Sequence, residues 1–429
     1  MIAYRSVLNA GSPTPPTPTG TVYGFHIDST VADSTNAITY IEDAVGMTPA
    51  HMDFTNDVFD YGSWENAFFM PKPCMLKYDG TVDYYLDPDD YTKKADGTPS
   101  DVADPTYNGN AMMEWGQNGK KIWVKYEADA NNPYSGNVYI SDTQMDEHYH
   151  DWSFHNCLGV SGDHFYTAIY SGHFNVNGAT DKLRSLSGLT SITNRKILSQ
   201  NVDLAEANNT TTNKEWSIEC FADFSLIYVL SILMFKSLDI QTSLGKGLCG
   251  GQYSEANMNA FQTGIHNDKG LFYGTDSNVY NDYNNAVKIF GMENYYAFIQ
   301  RWILGIQTYY GYYRAKFTYG TEDGSLKEGY DKSYAGDGYI ALSINPMNNN
   351  YGWLRYMTFS ESALVPAGYD GNQTSYYRTY ITASIGNQYL PTISDYQRGS
   401  LYQLTSSKNV GAYDWFLGAR LSCKPTLSN

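Results

Sequence analysis

One long apolar segment dominates the pattern of hydrophobic and polar positions along the chain. Residues 221–235 are apolar at all positions except Asp223, Ser225 and Ser231. A run that is apolar around the whole helical circumference is typical of a helix buried on every side. The sequence TNKE at residues 212–215 has the spacing of a capping box. We therefore predict a helix over residues 213–237 at the centre of its domain.

Around this segment the pattern indicates short strands separated by turns. Residues 121–126, KIWVKY, alternate in the manner of a strand. Further strands are predicted over residues 313–319 and 338–344. Residues 34–45 instead predict a short helix, because Ser34 can cap it and Gly46 can end it. One long helix among many short strands indicates an α+β fold.

Turn and linker residues divide the chain into three predicted parts. The sequence GSPTPPTPTG at residues 11–20 is typical of an extended, semi-rigid tether. Residues 1–20 are therefore interpreted as an N-terminal anchor and tether. A small α+β domain is expected over residues 21–109, with a β-rich pattern. A larger ligand-binding domain is expected over residues 110–429.

Tyrosine changes the picture from a generic fold to a binding protein. The chain has 40 tyrosines and 38 glycines among 429 residues, and only 17% of its residues are charged. Tyrosine supplies a large, rigid contact surface with a polar tip, and binding surfaces are enriched in it. Residues 376–413 mix tyrosine with Thr, Ser, Asn, Gln, Arg and Asp, as antibody binding loops do. In tyrosine doublets on strands, one ring is expected inside and one outside.

Charge and cysteine usage exclude several classes of protein. Lys and Arg total 28 against 45 Asp and Glu, a net charge of −17, so a nucleic-acid partner is not expected. Residues 1–20 contain no apolar signal region, and no segment predicts membrane insertion. The scattered cysteines are expected to be reduced: Cys74, Cys157, Cys220, Cys249 and Cys423. These features suit a virion component that is assembled in the host cytoplasm and freed by lysis.

Candidate metal sites are weak in this sequence. His148 and His150 would share one face of a strand and, with a nearby carboxylate, could hold a metal ion. The aspartates of residues 87–96 invite a calcium interpretation, but they lack the spacing of a calcium loop and are more typical of a solvated turn. We predict no metal and no cofactor.

Motifs for catalysis are not found either. The sequence contains no GxSxG element, no phosphate-binding loop and no Ser-x-x-Lys set. A pair of carboxylates for glycoside cleavage needs no fixed spacing, so a polysaccharide depolymerase stays open as an alternative. The protein is otherwise not expected to be an enzyme.

Three segments resemble a known family. They are KIFGMEN at residues 288–294, QRW at residues 300–302 followed by Gly305, and WFLGARLS at residues 415–422. They are similar to motifs of the C-type-lectin-fold domain, related to formylglycine-generating enzyme, of variable proteins of diversity-generating retroelements. Residues 62–77 resemble a segment that precedes this domain in gut phage proteins. The likeness extends from about residue 22 to the end of the chain.

The resemblance implies a C-type-lectin-like domain with short twisted strands, many loops and a long buried helix. It implies a phage tail-fibre or other receptor-binding protein, whose variable region here would span about residues 376–422. The implied ligand-binding residues are Tyr377, Arg378, Tyr380, Thr382, Ser384, Asn387, Tyr389, Ser394, Tyr396, Arg398, Gln403, Tyr413 and Asp414. The implied scaffold positions are Trp415, Gly418, Leu421 and Tyr402.

The implied partners are a bacterial surface receptor, protein or glycan, and other virion proteins contacted through the N-terminus. A homotrimer is expected. Relatives with formylglycine-generating activity hold copper with a cysteine pair, whereas only Cys423 lies near the end of this chain, so catalysis is not implied. The chain also departs from the family in the variable segment, where Leu390 and Ser400 stand near the places of family glycines.

Two functions remain beside receptor binding. A virion structural or decoration protein would use the same fold for subunit contacts, and a depolymerase would place two carboxylates in a cleft lined by Tyr or Trp. Receptor binding predicts four tyrosines largely exposed on one face: Tyr380, Tyr389, Tyr396 and Tyr413.

Overall fold

The structure is a computed structural model that describes part of the chain. It covers residues 18–31, 33–116, 120–151, 164–174, 182–190, 198–210, 216–248, 261–276, 283–298, 300–304 and 417–424, and the strands given below within residues 306–405. Sheet predominates and helices are few, so the structure confirms a β-rich α+β fold.

Two antiparallel sheets contain most of the strands of the first half of the chain, together with two strands from the second half. The five-stranded sheet has the order His150–Asp151, Trp123–Ala128, Ser135–Ser141, Val22–Asp28 and Ile38–Glu42. The six-stranded sheet has the order Trp216–Ile218, Leu421–Cys423, Phe165–Ala168, Gly109–Trp115, Lys72–Lys77 and Val82–Tyr85.

The second half of the chain forms two further sheets. The seven-stranded mixed sheet has the order Ala363–Asp370, Tyr351–Ser360, Tyr380–Thr382, Leu404–Thr405, Thr392–Ile393, Gln300–Trp302 and Leu417–Gly418. The three-stranded sheet has the order Ile306–Tyr309, Tyr312–Lys316 and Tyr339–Ile344. Two hairpins complete the described strands: His51–Asp53 with Val58–Asp60, and Lys288–Ile289 with Met292–Glu293.

The described helices are Leu198–Glu206, Phe221–Phe235 and Ile240–Ser243, and a 3₁₀ turn spans Tyr283–Asn285. All residues of Phe221–Phe235 are buried, which confirms the predicted central helix. Its polar residues have partners inside the core: the Ser231 hydroxyl donates to the Ile227 carbonyl at 2.6 Å, and the Ser225 and Tyr126 hydroxyls lie 3.3 Å apart. A helix without a polar face is stable here because neighbouring elements cover every side of it.

The predicted start of this helix is wrong. The helix begins at Phe221, because Trp216–Ile218 is extended and pairs with Leu421–Cys423. The cap is formed by Cys220 and Asp223, whose carboxylate accepts the Cys220 backbone N–H at 3.2 Å. A tertiary strand pairing therefore overrides the local capping signal.

The helix predicted over residues 34–45 is also wrong. Ile38–Glu42 is a strand that pairs with Val22–Asp28. Ile38 and Tyr40 are buried while Thr39 between them is exposed, so the segment follows the two-residue period of a strand. The predicted strand at residues 121–126 is confirmed as Trp123–Ala128, and those at 313–319 and 338–344 as Tyr312–Lys316 and Tyr339–Ile344.

One strand from the end of the described chain lies inside the six-stranded sheet. Leu421–Cys423 lies between Trp216–Ile218 and Phe165–Ala168 and is fully buried. Gly109–Trp115, which starts at the predicted domain boundary, pairs with Lys72–Lys77 on one side and Phe165–Ala168 on the other. The hydrogen-bonded sheet is thus continuous across residue 109.

Candidate functional site

Two of the predicted ligand-binding residues lie on a described strand. Tyr380 and Thr382 are the first and last residues of Tyr380–Thr382, which pairs antiparallel with Tyr351–Ser360. The other candidates lie outside the described residues: Tyr377, Arg378, Ser384, Asn387, Tyr389, Ser394, Tyr396, Arg398, Gln403, Tyr413 and Asp414. Of the implied scaffold positions, Gly418 and Leu421 lie on strands, and Trp415 and Tyr402 lie outside the described residues. The exposure of the four tyrosines stays a prediction.

Strands that precede the predicted variable segment flank its short strands in the seven-stranded sheet. Tyr380–Thr382, Leu404–Thr405 and Thr392–Ile393 lie side by side, with Tyr351–Ser360 on one side and Gln300–Trp302 on the other. These three strands are therefore built into the middle of the sheet, while Leu417–Gly418, near the end of the segment, forms its edge.

The directions of these strands decide which of their ends lie together. Tyr380–Thr382 runs parallel to Leu404–Thr405, and Thr392–Ile393 runs antiparallel to it. Thr382 and Thr392 consequently lie at the same end of the strands, and Ile393 and Leu404 lie at the opposite end.

Beside this sheet, the segments that carry the family resemblance meet in a buried group that we call the arginine cluster: Glu219, Tyr295, Arg301 and Arg420. Arg301 Nε donates to Glu219 Oε2 at 2.8 Å, and the Tyr295 hydroxyl donates to Glu219 Oε1. The Arg301 guanidinium lies 4.1 Å from the centre of the Tyr295 ring. Burial raises the pKa of Tyr295, so its hydroxyl stays protonated as a donor.

Arg420 connects this cluster to two other parts of the fold. Its Nη1 donates to the carbonyls of Ala168 and Ile169 at 2.8 and 3.1 Å, and its Nη2 donates to the Glu293 carbonyl. Burial lowers the pKa of Arg420 to about 9, which still leaves it charged at neutral pH. The arginine, just before the strand Leu421–Cys423, thus joins this end of the chain to the hairpin of residues 288–293.

That hairpin explains why the KIFGMEN segment has its residue types. Phe290 and Gly291 have φ angles of 47° and 77°, as a two-residue type I′ turn requires. A Cβ on Gly291 would lie 2.5 Å from the Tyr91 hydroxyl, so glycine is needed there. The strained Phe290 places its ring 5.5 Å from Trp115 and 5.0 Å from Phe272, and this packing compensates for its backbone strain.

Lys288 and Glu293 face each other across the hairpin as buried charges with separate partners. Lys288 Nζ donates to the His266 carbonyl at 2.9 Å and lies 3.6 Å from the centre of the Tyr91 ring. The Glu293 carboxylate accepts the Gly264 and His266 backbone N–H groups at 3.0 and 3.4 Å. Burial lowers the pKa of Lys288 to about 7 and raises that of Glu293 to about 7.

Shifted pKa values often mark catalytic residues, but these groups are closed to a substrate. Lys288 and Glu293 are each 1% exposed, and Arg420 is also 1% exposed. Their side chains form hydrogen bonds with backbone groups and connect separate segments of the chain. These contacts stabilise the scaffold.

The segments quoted for the resemblance contain four of these buried charged residues and lack a fifth. Lys288, Glu293, Arg301 and Arg420 belong to those segments, whereas Glu219 does not. A charged residue within the apolar sequence WSIECFADF at residues 216–224 was the available signal, because a buried carboxylate requires a partner.

The candidate metal ligands do not form a site. His150 begins the strand His150–Asp151, while His148 lies in the turn before it, so the prediction that both share one strand face is wrong. In the described part of the chain, no group of three or more His, Cys, Asp or Glu residues could hold a metal ion. The solvated-turn interpretation of residues 87–96 is confirmed, since Asp87, Asp90 and Asp96 each accept a backbone N–H two residues on.

The described cysteines are buried and free, namely Cys74, Cys220 and Cys423; Cys157 and Cys249 lie outside the described residues. Burial raises the pKa of the Cys74 thiol and makes it a poor nucleophile. No helix in the described ranges has both the length and the apolar character needed to cross a membrane.

Comparison with known proteins gives no match: no protein-family model matches the chain, and no curated protein matches it at a significant level.

Proposed function

We propose that this protein is a phage receptor-binding protein that displays a tyrosine-rich, diversifiable ligand-binding face on a C-type-lectin-like scaffold. The observation that supports this most is the position of the short strands Tyr380–Thr382, Thr392–Ile393 and Leu404–Thr405 between Tyr351–Ser360 and Gln300–Trp302. These strands are held on both sides by other parts of the chain. The segments that connect them can therefore vary in sequence without loss of the strand pairing.

The arginine cluster supports the same proposal from inside the fold. Arg301 lies on a strand next to the short strands, and Arg420 lies near the end of the segment 376–422 among its scaffold positions; their exposures are 4% and 1%. Substitutions at solvent-facing positions away from such a cluster typically change stability little. Residues of the ligand-binding face could therefore change while the scaffold stays folded.

Under this proposal the protein is a virion component and not an enzyme. Residues 1–20 attach it to other virion proteins, and a homotrimer presents several copies of the face to a bacterial surface protein or glycan. Several weak sites on one particle bind far more tightly than one, because the first contact raises the effective concentration of the others.

The test is binding of the full chain to intact cells of a panel of candidate host bacteria. Tyr389→Ala and Tyr396→Ala are examined singly and together, because the segments that contain them start from opposite ends of the short strands. Tyr85→Ala is the matched control, since Tyr85 is 39% exposed on the edge strand Val82–Tyr85.

We expect saturable binding that falls by about tenfold or more in at least one single variant, as at a contact hot spot. The single variants tell which of the two segments makes the dominant contacts with the receptor. Binding unchanged in the double variant would contradict the assigned face. No binding to any host, together with failure of virions to assemble without the protein, would favour the structural or decoration role.

A further inference from the structure

A second candidate site lies on a different part of the molecule, outside residues 376–422. It is an open cleft of about 340 Å³, which we call the aromatic cleft. The polar residues that line it include Asp57, Tyr61, Asp89, Asp268, Lys269 and Tyr273. Its volume is at the lower end of the range for small-molecule sites.

The floor of the cleft is an extension of the hydrophobic core. Phe59 stacks on Phe272 with ring centres 4.5 Å apart, and Tyr61 meets Phe272 edge-on at 5.7 Å. Phe272 in turn contacts Phe290 and Phe235, at 5.0 and 6.2 Å. These contacts fix the floor before any ligand arrives.

Backbone hydrogen bonds also fix the walls of the cleft. The Gly270 N–H donates to the Asp89 carbonyl at 3.4 Å, and the Tyr91 N–H donates to the Asn267 carbonyl at 2.9 Å. The loop that contains Asp89 is thereby held against the turn that contains Asp268. The cleft is pre-formed, which lowers the entropic cost of binding.

The charges around the cleft are unbalanced. Three carboxylates, Asp57, Asp89 and Asp268, line it with one ammonium, Lys269. Lys269 forms an ion pair with Asp57 at 3.0 Å. Within the described residues, no ion pair or side-chain hydrogen bond engages the carboxylates of Asp89 and Asp268. Lys269 acts on Asp268, and the buried Lys288 acts on both carboxylates, only through space, so both carboxylates can still contact an external cation.

Lys269 also shows how a cation fits here. Its Nζ lies 4.5 Å from the centre of the Tyr273 ring while it contacts the Asp57 carboxylate. An ammonium between an aromatic face and a carboxylate is a favourable arrangement, because the ring quadrupole and the negative charge both attract it.

We propose that the aromatic cleft binds an alkylammonium group, with Asp89 and Asp268 as its counter-charges and the aromatic floor against its carbon chain. The group could come from a free polyamine or from a lysine side chain. This site does not depend on the proposed receptor-binding face, and its test does not involve host cells.

The experiment is calorimetric titration of the full chain with 1,5-diaminopentane, with 1,5-pentanediol as the neutral match. We expect binding of the diamine and none of the diol. The double variant Asp89→Asn/Asp268→Asn should bind the diamine about tenfold more weakly, as expected for the loss of two exposed ion pairs. Glu147→Gln is the control, because it removes one carboxylate that is 88% exposed and outside the cleft.

The variant Lys269→Met should strengthen binding of the diamine, whereas the Asp89→Asn/Asp268→Asn variant should weaken it. It removes the internal ammonium that occupies Asp57 and the Tyr273 face, so the diamine should bind about threefold more tightly. A variant that merely damaged the cleft would bind more weakly. Unchanged thermal unfolding midpoints would show that each variant is folded.

The source of the ammonium follows from a competing titration with Nα-acetyl-lysine methylamide. Tighter binding of the lysine derivative would indicate a protein side chain, and tighter binding of the diamine would indicate a polyamine. The proposal fails if the diamine does not bind, if the diol binds equally, or if the double variant binds as the unchanged protein does.

Discussion

The six-stranded sheet and the short strands within residues 376–405 of the seven-stranded sheet differ in the length of their longest strands. Gly109–Trp115 has 7 residues, all buried, and it pairs along its length with Lys72–Lys77. Tyr380–Thr382, Thr392–Ile393 and Leu404–Thr405 have 3, 2 and 2 residues. Since each hydrogen bond contributes about 1 kcal/mol net, the short strands add little stability. We therefore expect the six-stranded sheet to contribute more to stability than these three short strands.

The two sheets are nevertheless coupled at the arginine cluster. Glu219 follows the strand Trp216–Ile218 of the six-stranded sheet, and Arg301 lies on Gln300–Trp302 of the seven-stranded sheet. Beside their ion pair, the Leu304 N–H donates to the Glu219 carbonyl at 2.9 Å. The arginine cluster is therefore the place where damage to one sheet should reach the other.

The strongest test of this coupling is Arg301→Met. It leaves the Glu219 carboxylate buried, 1% exposed, without its cation. We expect the free energy of unfolding to fall by about 3–5 kcal/mol, as is usual when one partner of a buried ion pair is removed. Urea unfolding of the full chain measures this loss.

The matched control for that prediction is the double variant Glu219→Gln/Arg301→Met. Because it removes both charges, it should lose less stability than the two single variants added together. Strict additivity would mean that the two side chains are not coupled.

The next effect concerns the hairpin and depends on pH. Burial raises the pKa of Glu293 to about 7, so the folded protein holds this proton more tightly than the unfolded chain does. Its contribution to stability is present at low pH and is lost as the pH rises towards 7. A shift of this size corresponds to about 3 kcal/mol.

Glu293→Gln should remove this pH dependence, and the measurement is the difference in unfolding free energy between the two proteins from about pH 4 to about pH 8. The difference is needed because His173 and His266, whose pKa values burial lowers to about 4, act in the opposite direction at acid pH. Lys288 affects the unfolding free energy above pH 7. Because burial lowers its pKa to about 7, its contribution to stability increases as the pH rises further. A difference that does not change with pH would show that Glu293 does not titrate as described.

The smallest effect is expected in the variable segment. Tyr389→Ala should change the unfolding free energy by no more than about 0.5 kcal/mol, as surface substitutions do. Thermal or urea unfolding of the same preparations used for cell binding measures it. A loss comparable with that of Arg301→Met would remove the distinction between a stable and a variable sheet.

Sequence patterns predicted the elements whose signal is local. The helix Phe221–Phe235 and the strand Trp123–Ala128 follow from an unbroken apolar run and a clear alternation. The segment around Ile38 satisfied a helical pattern equally well, and pairing with Val22–Asp28 decided the outcome. Long-range pairing is not encoded in a local window.

The site was harder to predict for the same reason. The doublet Tyr295 and Tyr296 was expected to place one ring inside, yet both are 1% exposed. They do not lie on a strand, and each hydroxyl has its own buried acceptor, Glu219 for Tyr295 and the Gly245 carbonyl, at 2.8 Å, for Tyr296. Tyrosine content indicates contact surface without telling whether the contact is internal or external.

The position of Leu421–Cys423 has a consequence for protein synthesis. The ribosome delivers these residues at the end of the segment 376–422, yet they lie between two strands made much earlier, Trp216–Ile218 and Phe165–Ala168. Lys424, just beyond them, supplies the 2.7 Å ion pair to buried Asp223. A stop codon or frameshift anywhere in the variable segment would leave the sheet open and that carboxylate unpaired. Under the proposed function, faulty products of diversification would lose this strand and this ion pair, so we expect chains translated in frame through Lys424 to be the ones that fold.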